Sequence, residues 1–236
     1  MPASIVQQVM QRWFEQWGRP AQMQLDHGQP WQSGRSDLPS LFELWLIGLG
    51  IEVVWSRPCR PQDNGIVERS HRTTQAWSAP AYCRDLEHLQ YSLDEAARVQ
   101  RQLYPTETGT TRLQRYPQLL ACPRPYQINK EPQLWSLQRV YSFLAQGCWQ
   151  RKVDASGRIS LYNHNYTVGR ALGGQMLWVR FEPTTGEWLY CNEKGVIVGR
   201  SQSLEINSTV IRQLRWHRSK AQWRKSLIKP DVAPPI

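Results

Sequence analysis

The chain has 236 residues, enough for a sizeable core, and 40% of them are hydrophobic and 20% charged, with 12 Trp, 9 Tyr and 4 Phe; this excludes a chain that cannot pack. Lys and Arg number 29 against 19 Asp and Glu, a net charge of +10, which points to a polyanionic partner, nucleic acid first and an anionic membrane surface second. No apolar run approaches the roughly 18 residues of a spanning helix, no basic-then-apolar leader opens the chain, and the five cysteines never form a Cys-x-x-Cys pair. We therefore expect a soluble, cytoplasmic protein without structural zinc.

The first half predicts alternating helix and strand. Ile5, Val6, Val9, Met10, Trp13, Phe14 and Trp17 recur at helical spacing over 4–17, and Gly18-Arg19-Pro20 ends that helix. A short strand over 21–25, an apolar helix over 37–49 and a β-branched strand over 51–55 come next. That second strand lacks alternation, which predicts cover on both faces. The turn residues 57–65 lead to a helix over 66–77, with an Asx side chain from Asp63-Asn64 expected at its cap, and a further helix spans 85–104. Residues 105–135 carry Pro105, Pro117, Pro123, Pro125 and Pro132 and predict a linker with a short helix near 112–120.

After a helix over 137–145 the hydrophobic period switches to two. Residues 149–153 and 158–162, joined by Asp154-Ala-Ser-Gly157, predict a hairpin, and strands over 166–168, 176–181, 188–191 and 196–198 succeed it at a cadence that suggests a small β-barrel. The charge is uneven. Residues 212–236 hold seven Lys and Arg and a single acid, Asp231, with Trp216 and Trp223 among them, a mixture suited to phosphate contact and base stacking. A solvated tail is the plain alternative.

Two acids stand out by context. Asp26 closes the first predicted strand, in Leu25-Asp26-His27-Gly28, and Glu68 lies one turn inside the helix that comes after Pro61-Gln62-Asp63-Asn64-Gly65. Carboxylates at a strand end and on a neighbouring helix can converge on Mg²⁺, which prefers oxygen ligands. Singly each has a plainer reading, an Asx turn for Asp26 and a surface position for Glu68.

The collinear run Gly18-Arg19-Pro20, Leu25-Asp26-His27-Gly28-x-Pro30-Trp31, Leu46-Ile47-x-Leu49-Gly50-Ile51 and Arg57-Pro58-x-Arg60-Pro61-Gln62-Asp63-Asn64-Gly65-x-Val67-Glu68-Arg69-Ser70-His71 resembles the integrase core of DDE transposases and retroviral-type integrases. The resemblance covers residues 3–104, and the downstream barrel and tail are similar to the C-terminal part of Mu-like transposases. It implies an α/β chain: a partial RNase H-like integrase core at 1–120 lacking its first three strands, a linker at 121–136, a small β-barrel at 137–211 and a basic tail at 212–236. It implies a DNA-associated protein of the prokaryotic cytoplasm, from a family that cleaves transposon 3′ ends and joins them to target DNA with two Mg²⁺ or Mn²⁺ ions.

In that family three carboxylates hold the metals. Asp26 matches the second and Glu68 the third, as catalytic and metal-binding residues. The first aspartate has no counterpart, because the only acid before Asp26 is Glu15, on a predicted helix. The resemblance therefore implies an N-terminally truncated chain with little activity alone and an uncovered strand edge beside 21–25. Arg57, Arg60, Arg69 and Arg72 around the site, and Arg212, Arg215, Trp216, Arg218, Lys220, Arg224 and Lys225 in the tail, are the expected DNA contacts. His71 is expected on a helix surface, and Cys59 lacks a base partner in sequence. The expected partners are transposon-end and target DNA and other transposase subunits. Alternatives are a non-catalytic DNA-binding partner of a full-length transposase and a basic scaffold that binds an acidic protein.

Overall fold

The computed structural model describes residues 2–28, 31, 37–57, 61–122 and 124–214. The first helix, α1 (Ala3–Trp17), buries Val6, Met10 and Phe14 along one stripe. Strand β1 (Gln22–Leu25) pairs in parallel with β2 (Glu52–Trp55), Leu25 lying opposite Trp55. Between them runs α2 (Leu41–Gly48), shorter than the 37–49 predicted, because it starts where the Ser40 hydroxyl caps it by accepting the Glu43 N–H at 3.0 Å.

Helix α2 is the centre of the molecule. Phe42, Leu44, Trp45 and Leu46 are all buried, so the helix has no solvent face and its neighbours cover it on every side. Phe14 of α1 stacks on Trp45 at 5.9 Å. From the far half of the chain, the Trp135 indole N–H donates to the Trp45 carbonyl at 3.1 Å. That ring lies where a Cβ on Gly48 would be, 2.0 Å from its Nε1, so only glycine fits there.

Helices α3 (Gly65–Ser78) and α4 (Leu86–Gln102) pair with each other, α4 capped by Asp85, whose carboxylate accepts the His88 N–H at 2.8 Å. The proline-rich segment then holds α5 (Arg112–Arg115), opened by a Thr111–Gln114 capping box, and α6 (Glu131–Leu134). The segment expected as a linker carries three buried side chains, Tyr126, Glu131 and Trp135. Glu131 accepts from Gln11 of α1 at 2.8 Å, from the Trp45 indole at 3.3 Å and from the Tyr126 hydroxyl. Residues 121–136 thus tie the two halves together through one buried carboxylate.

Helix α7 (Leu137–Leu144) packs on α2 and leads to the strands β3 (Trp149–Lys152), β4 (Arg158–Leu161), β5 (His164–Thr167), β6 (Met176–Glu182), β7 (Glu187–Cys191) and β8 (Ile197–Gln202), closed by α8 (Ser208–Arg212). The expected hairpin between 149–153 and 158–162 is corrected: β3 pairs with β6, and β4 pairs with β5. The barrel is corrected as well. The described strands form a four-stranded antiparallel sheet, β3-β6-β7-β8, and a separate two-stranded pair, and close no barrel.

Alternation on β6 turns Leu177, Val179 and Phe181 inward, where they meet Trp188 and Tyr190 of β7. The cover expected on both faces of β2 is also corrected, since Glu52 and Val54 point outward. The fold is mixed α/β, and one buried apolar cluster runs from Val6 to Ile211 across both halves. No helix of the described residues is long and apolar enough to cross a membrane.

Candidate functional site

The parallel pairing of β1 and β2 brings their carboxyl ends to the same side of the sheet. Asp26 comes directly after β1, and the next residue after β2, Ser56, donates its N–H to the Leu25 carbonyl at 2.9 Å. Ser56 is buried and acts as a junction. Its hydroxyl receives the Gln24 side-chain amide at 3.0 Å and donates to the Asn64 side-chain oxygen at 3.2 Å. Asn64 immediately precedes α3, whose first turn carries Glu68. A three-residue chain of hydrogen bonds therefore joins the end of β1, the end of β2 and the start of the Glu68 helix. The Asn64 side chain is used here and makes no cap bond to α3, which corrects the expected Asx cap at Asn64; the Asp63 side chain lies outside the described residues.

His27 adds a second tie. Its ring stacks on Trp55 at 5.4 Å and 16°, with Nε2 2.8 Å from the Ser56 carbonyl, a contact that assigns the proton to Nε2. The Trp55 indole in turn donates to Glu43 of α2 at 3.1 Å. Glu43 is buried, and desolvation pushes its carboxyl above the ordinary range against the pull of the Trp55 and Ser40 bonds.

Asp26 is exposed, and one of its oxygens accepts the Gly28 N–H at 2.9 Å in an Asx turn. Glu68 is exposed on α3, and so is His71, at the surface as expected. Among the described residues no three His, Cys, Asp or Glu side chains gather at one place. Asp26 follows β1 and Glu68 lies in the first turn of α3, two carboxylates on separate elements. By themselves they fall short of the donor set that a pair of Mg²⁺ ions takes.

The cations divide into three groups. Arg57, Arg69 and Arg72 are exposed around the strand ends and along α3, and Arg69 lines a cleft that α3 and α4 form with Trp13 and Trp17 of α1. Arg212 closes α8 with its Nε 3.5 Å from the buried Glu131 carboxylate and its side chain only 26% exposed, so it serves the interior pairing. Arg60, Arg215, Trp216, Arg218, Lys220, Arg224 and Lys225 lie outside the described residues, as does Cys59.

Sequence reasoning misses Gln24, Ser56 and Glu43. Only Glu43 carries a signal, as an acid set within an apolar helix. Ser56 and Gln24 are ordinary residue types whose role depends on where β2 ends. No protein-family model matches the chain.

Proposed function

We propose that this chain is a DNA transposition or integration protein of the DDE type, in which the β1–α2–β2–α3 unit presents Asp26 and Glu68 to a DNA phosphate and Arg57, Arg60, Arg69 and Arg72 hold the backbone nearby. One observation carries the reading. The hydrogen-bonded junction of Gln24, Ser56 and Asn64 connects the two elements that bear the two acids, as a site on convergent strand and helix ends requires. Mg²⁺ or Mn²⁺ is the cofactor class of such sites, and two carboxylates leave the ions under-coordinated. We therefore propose that the chain joins DNA only together with a further polypeptide that supplies the missing ligand.

A second reading, a non-catalytic DNA-binding partner, is favoured by the Asx turn that already engages Asp26. A strand-transfer assay with pre-cut ends in Mg²⁺ or Mn²⁺, run with and without a full-length DDE transposase whose second and third carboxylates are replaced by Ala so that it cannot join ends unaided, separates the two. We expect no joining by the chain alone, joining in the mixture, and its loss with Asp26→Ala or Glu68→Ala in this chain. Joining by the mixture that survives both substitutions leaves the non-catalytic reading. Absence of salt-dependent duplex binding overturns both and favours a basic scaffold for an acidic protein.

A further inference from the structure

The C-terminus of α2 ends in a Schellman motif: the Gly50 N–H donates to Ile47 at 2.8 Å, the Ile51 N–H to Leu46 at 3.0 Å, and Gly50 takes the left-handed φ of 72° that this turn needs. Three arginines from three separate segments reach the carbonyls of Gly48, Leu49 and Gly50, the first of which also accepts the Ser136 N–H at 2.9 Å. Arg139 of α7 donates to Gly48 at 2.9 Å, Arg19 donates to Leu49 at 2.6 Å, and Arg124 donates to Gly50 at 2.7 Å and to Pro20 at 2.6 Å. The cluster is held by backbone as well, the Arg19 N–H donating to the Arg124 carbonyl at 2.8 Å.

This is more positive charge than the helix end calls for. A helix C-terminus offers about half a negative charge, whereas three guanidinium groups meet here and no ion pair among the described residues reaches any of them. Two features show that the excess is uncompensated. Arg19 Nε is buried with no hydrogen-bond partner. Burial first, and then the charges of Arg124 and Arg139, pull the Arg19 guanidinium below its ordinary range. Each arginine spends only part of its five-donor fork on the carbonyls, so donors remain for an incoming group. Arg139 is exposed and Arg19 and Arg124 are partly exposed, which leaves the cluster open to solvent.

We infer that Arg19, Arg124 and Arg139 form an oxyanion site that takes a phosphate group. The carbonyls of Pro20 and of residues 48–50 fix the forks in advance, and a tetrahedral dianion matches their charge and donor geometry. The site uses neither Asp26 nor Glu68, so it stands or falls apart from the proposed DNA-joining activity.

Thermal melts in sodium phosphate against sodium chloride at equal ionic strength and pH test it. We expect a saturable rise on the order of 5 °C with phosphate, and loss of most of that rise in Arg139→Gln, which alters the exposed member of the cluster and leaves Arg19 and Arg124 in place. Titration calorimetry with phosphate reads the same loss directly, whatever the variant does to the baseline melt. Duplex binding of Arg139→Gln identifies the source: weakened affinity with a shallower salt slope assigns the phosphate to a nucleic-acid backbone, and unchanged affinity assigns it to a free or terminal phosphate. A phosphate response no larger than that of chloride, or one that Arg139→Gln leaves intact, overturns the site.

Discussion

Two buried glutamates show how local partners decide what a charge does. Glu131 collects Gln11, Trp45 and Tyr126 as donors with Arg212 close by, so its carboxylate is matched on several sides. Glu43 has the Trp55 indole and its own capped N-terminal turn, and no cation is paired with it among the described residues. Its folded-state carboxyl is raised above the ordinary 4.5. The stability Glu43 contributes is therefore present below the unfolded value and is lost as pH rises through the raised folded value. Glu43→Gln keeps an oxygen that can accept from Trp55 and removes the charge. We expect the variant to melt higher than the parent at pH 7, with the difference shrinking toward zero near pH 4; a constant offset across that range would show that the charge is not the cause.

At the scale of elements, legibility depends on locality. The periodicity of α1, α3, α4 and α7 and the caps at Asp85 and Thr111 depend on residues a turn apart, and each of those helices lies within a few residues of its predicted bounds. The Asp154–Gly157 turn also forms, with the Asp154 carboxylate accepting from Ser156 at 2.8 Å and Arg158 at 2.9 Å. The strand pairing on either side of that turn is not legible. Turn chemistry sets a change of direction, whereas partner choice is set by Trp149 lying opposite Val179 in the β3–β6 ladder. The arginine cluster is hidden for the same reason, its members coming from positions 19, 124 and 139, as is the candidate site's Ser56 junction.

The seat of Trp135, which follows α6, against Gly48 of α2 is another of these non-local contacts. In Gly48→Ala the new methyl gains about 1 kcal/mol of helix propensity and collides with the Trp135 ring, which is buried and hydrogen-bonded to Trp45. The collision outweighs the propensity, because the ring is buried and moving it off Gly48 strains its bond to the Trp45 carbonyl. We expect a net loss of at least about 2 kcal/mol in urea unfolding, accompanied by a shift in tryptophan fluorescence. A stabilised variant would show that Trp135 is not seated on α2.

Over the whole molecule, stability and the candidate site are unevenly distributed. The buried apolar cluster joins α1, both strands of the parallel pair, α2, α7 and the C-terminal sheet, and no residue of α3, α4 or α5 belongs to it. The α3–α4 pair is held by contacts of a different grade, Ser70 and Thr74 with Gln100 and Trp77 edge-on to Tyr104, and Arg101 over the Trp17 ring at 4.0 Å ties α4 to α1. Ile66 is 87% exposed at its near end. An element with little buried apolar area opens at a lower free energy than the core does. Glu68 therefore rides on the weaker unit, whereas Asp26 is attached to the stronger one, and the Ser56–Asn64 bond bridges them near the site. In native-state hydrogen exchange we expect amides of α3 and α4 to exchange well before those of α2, β6 and β7, and duplex DNA to slow α3 and α4 selectively if the Glu68 face meets the nucleic acid. Equal protection in the free protein would place α3 and α4 in the same cooperative unit as the core, and Asp26 and Glu68 would then be held in fixed register before any DNA arrives.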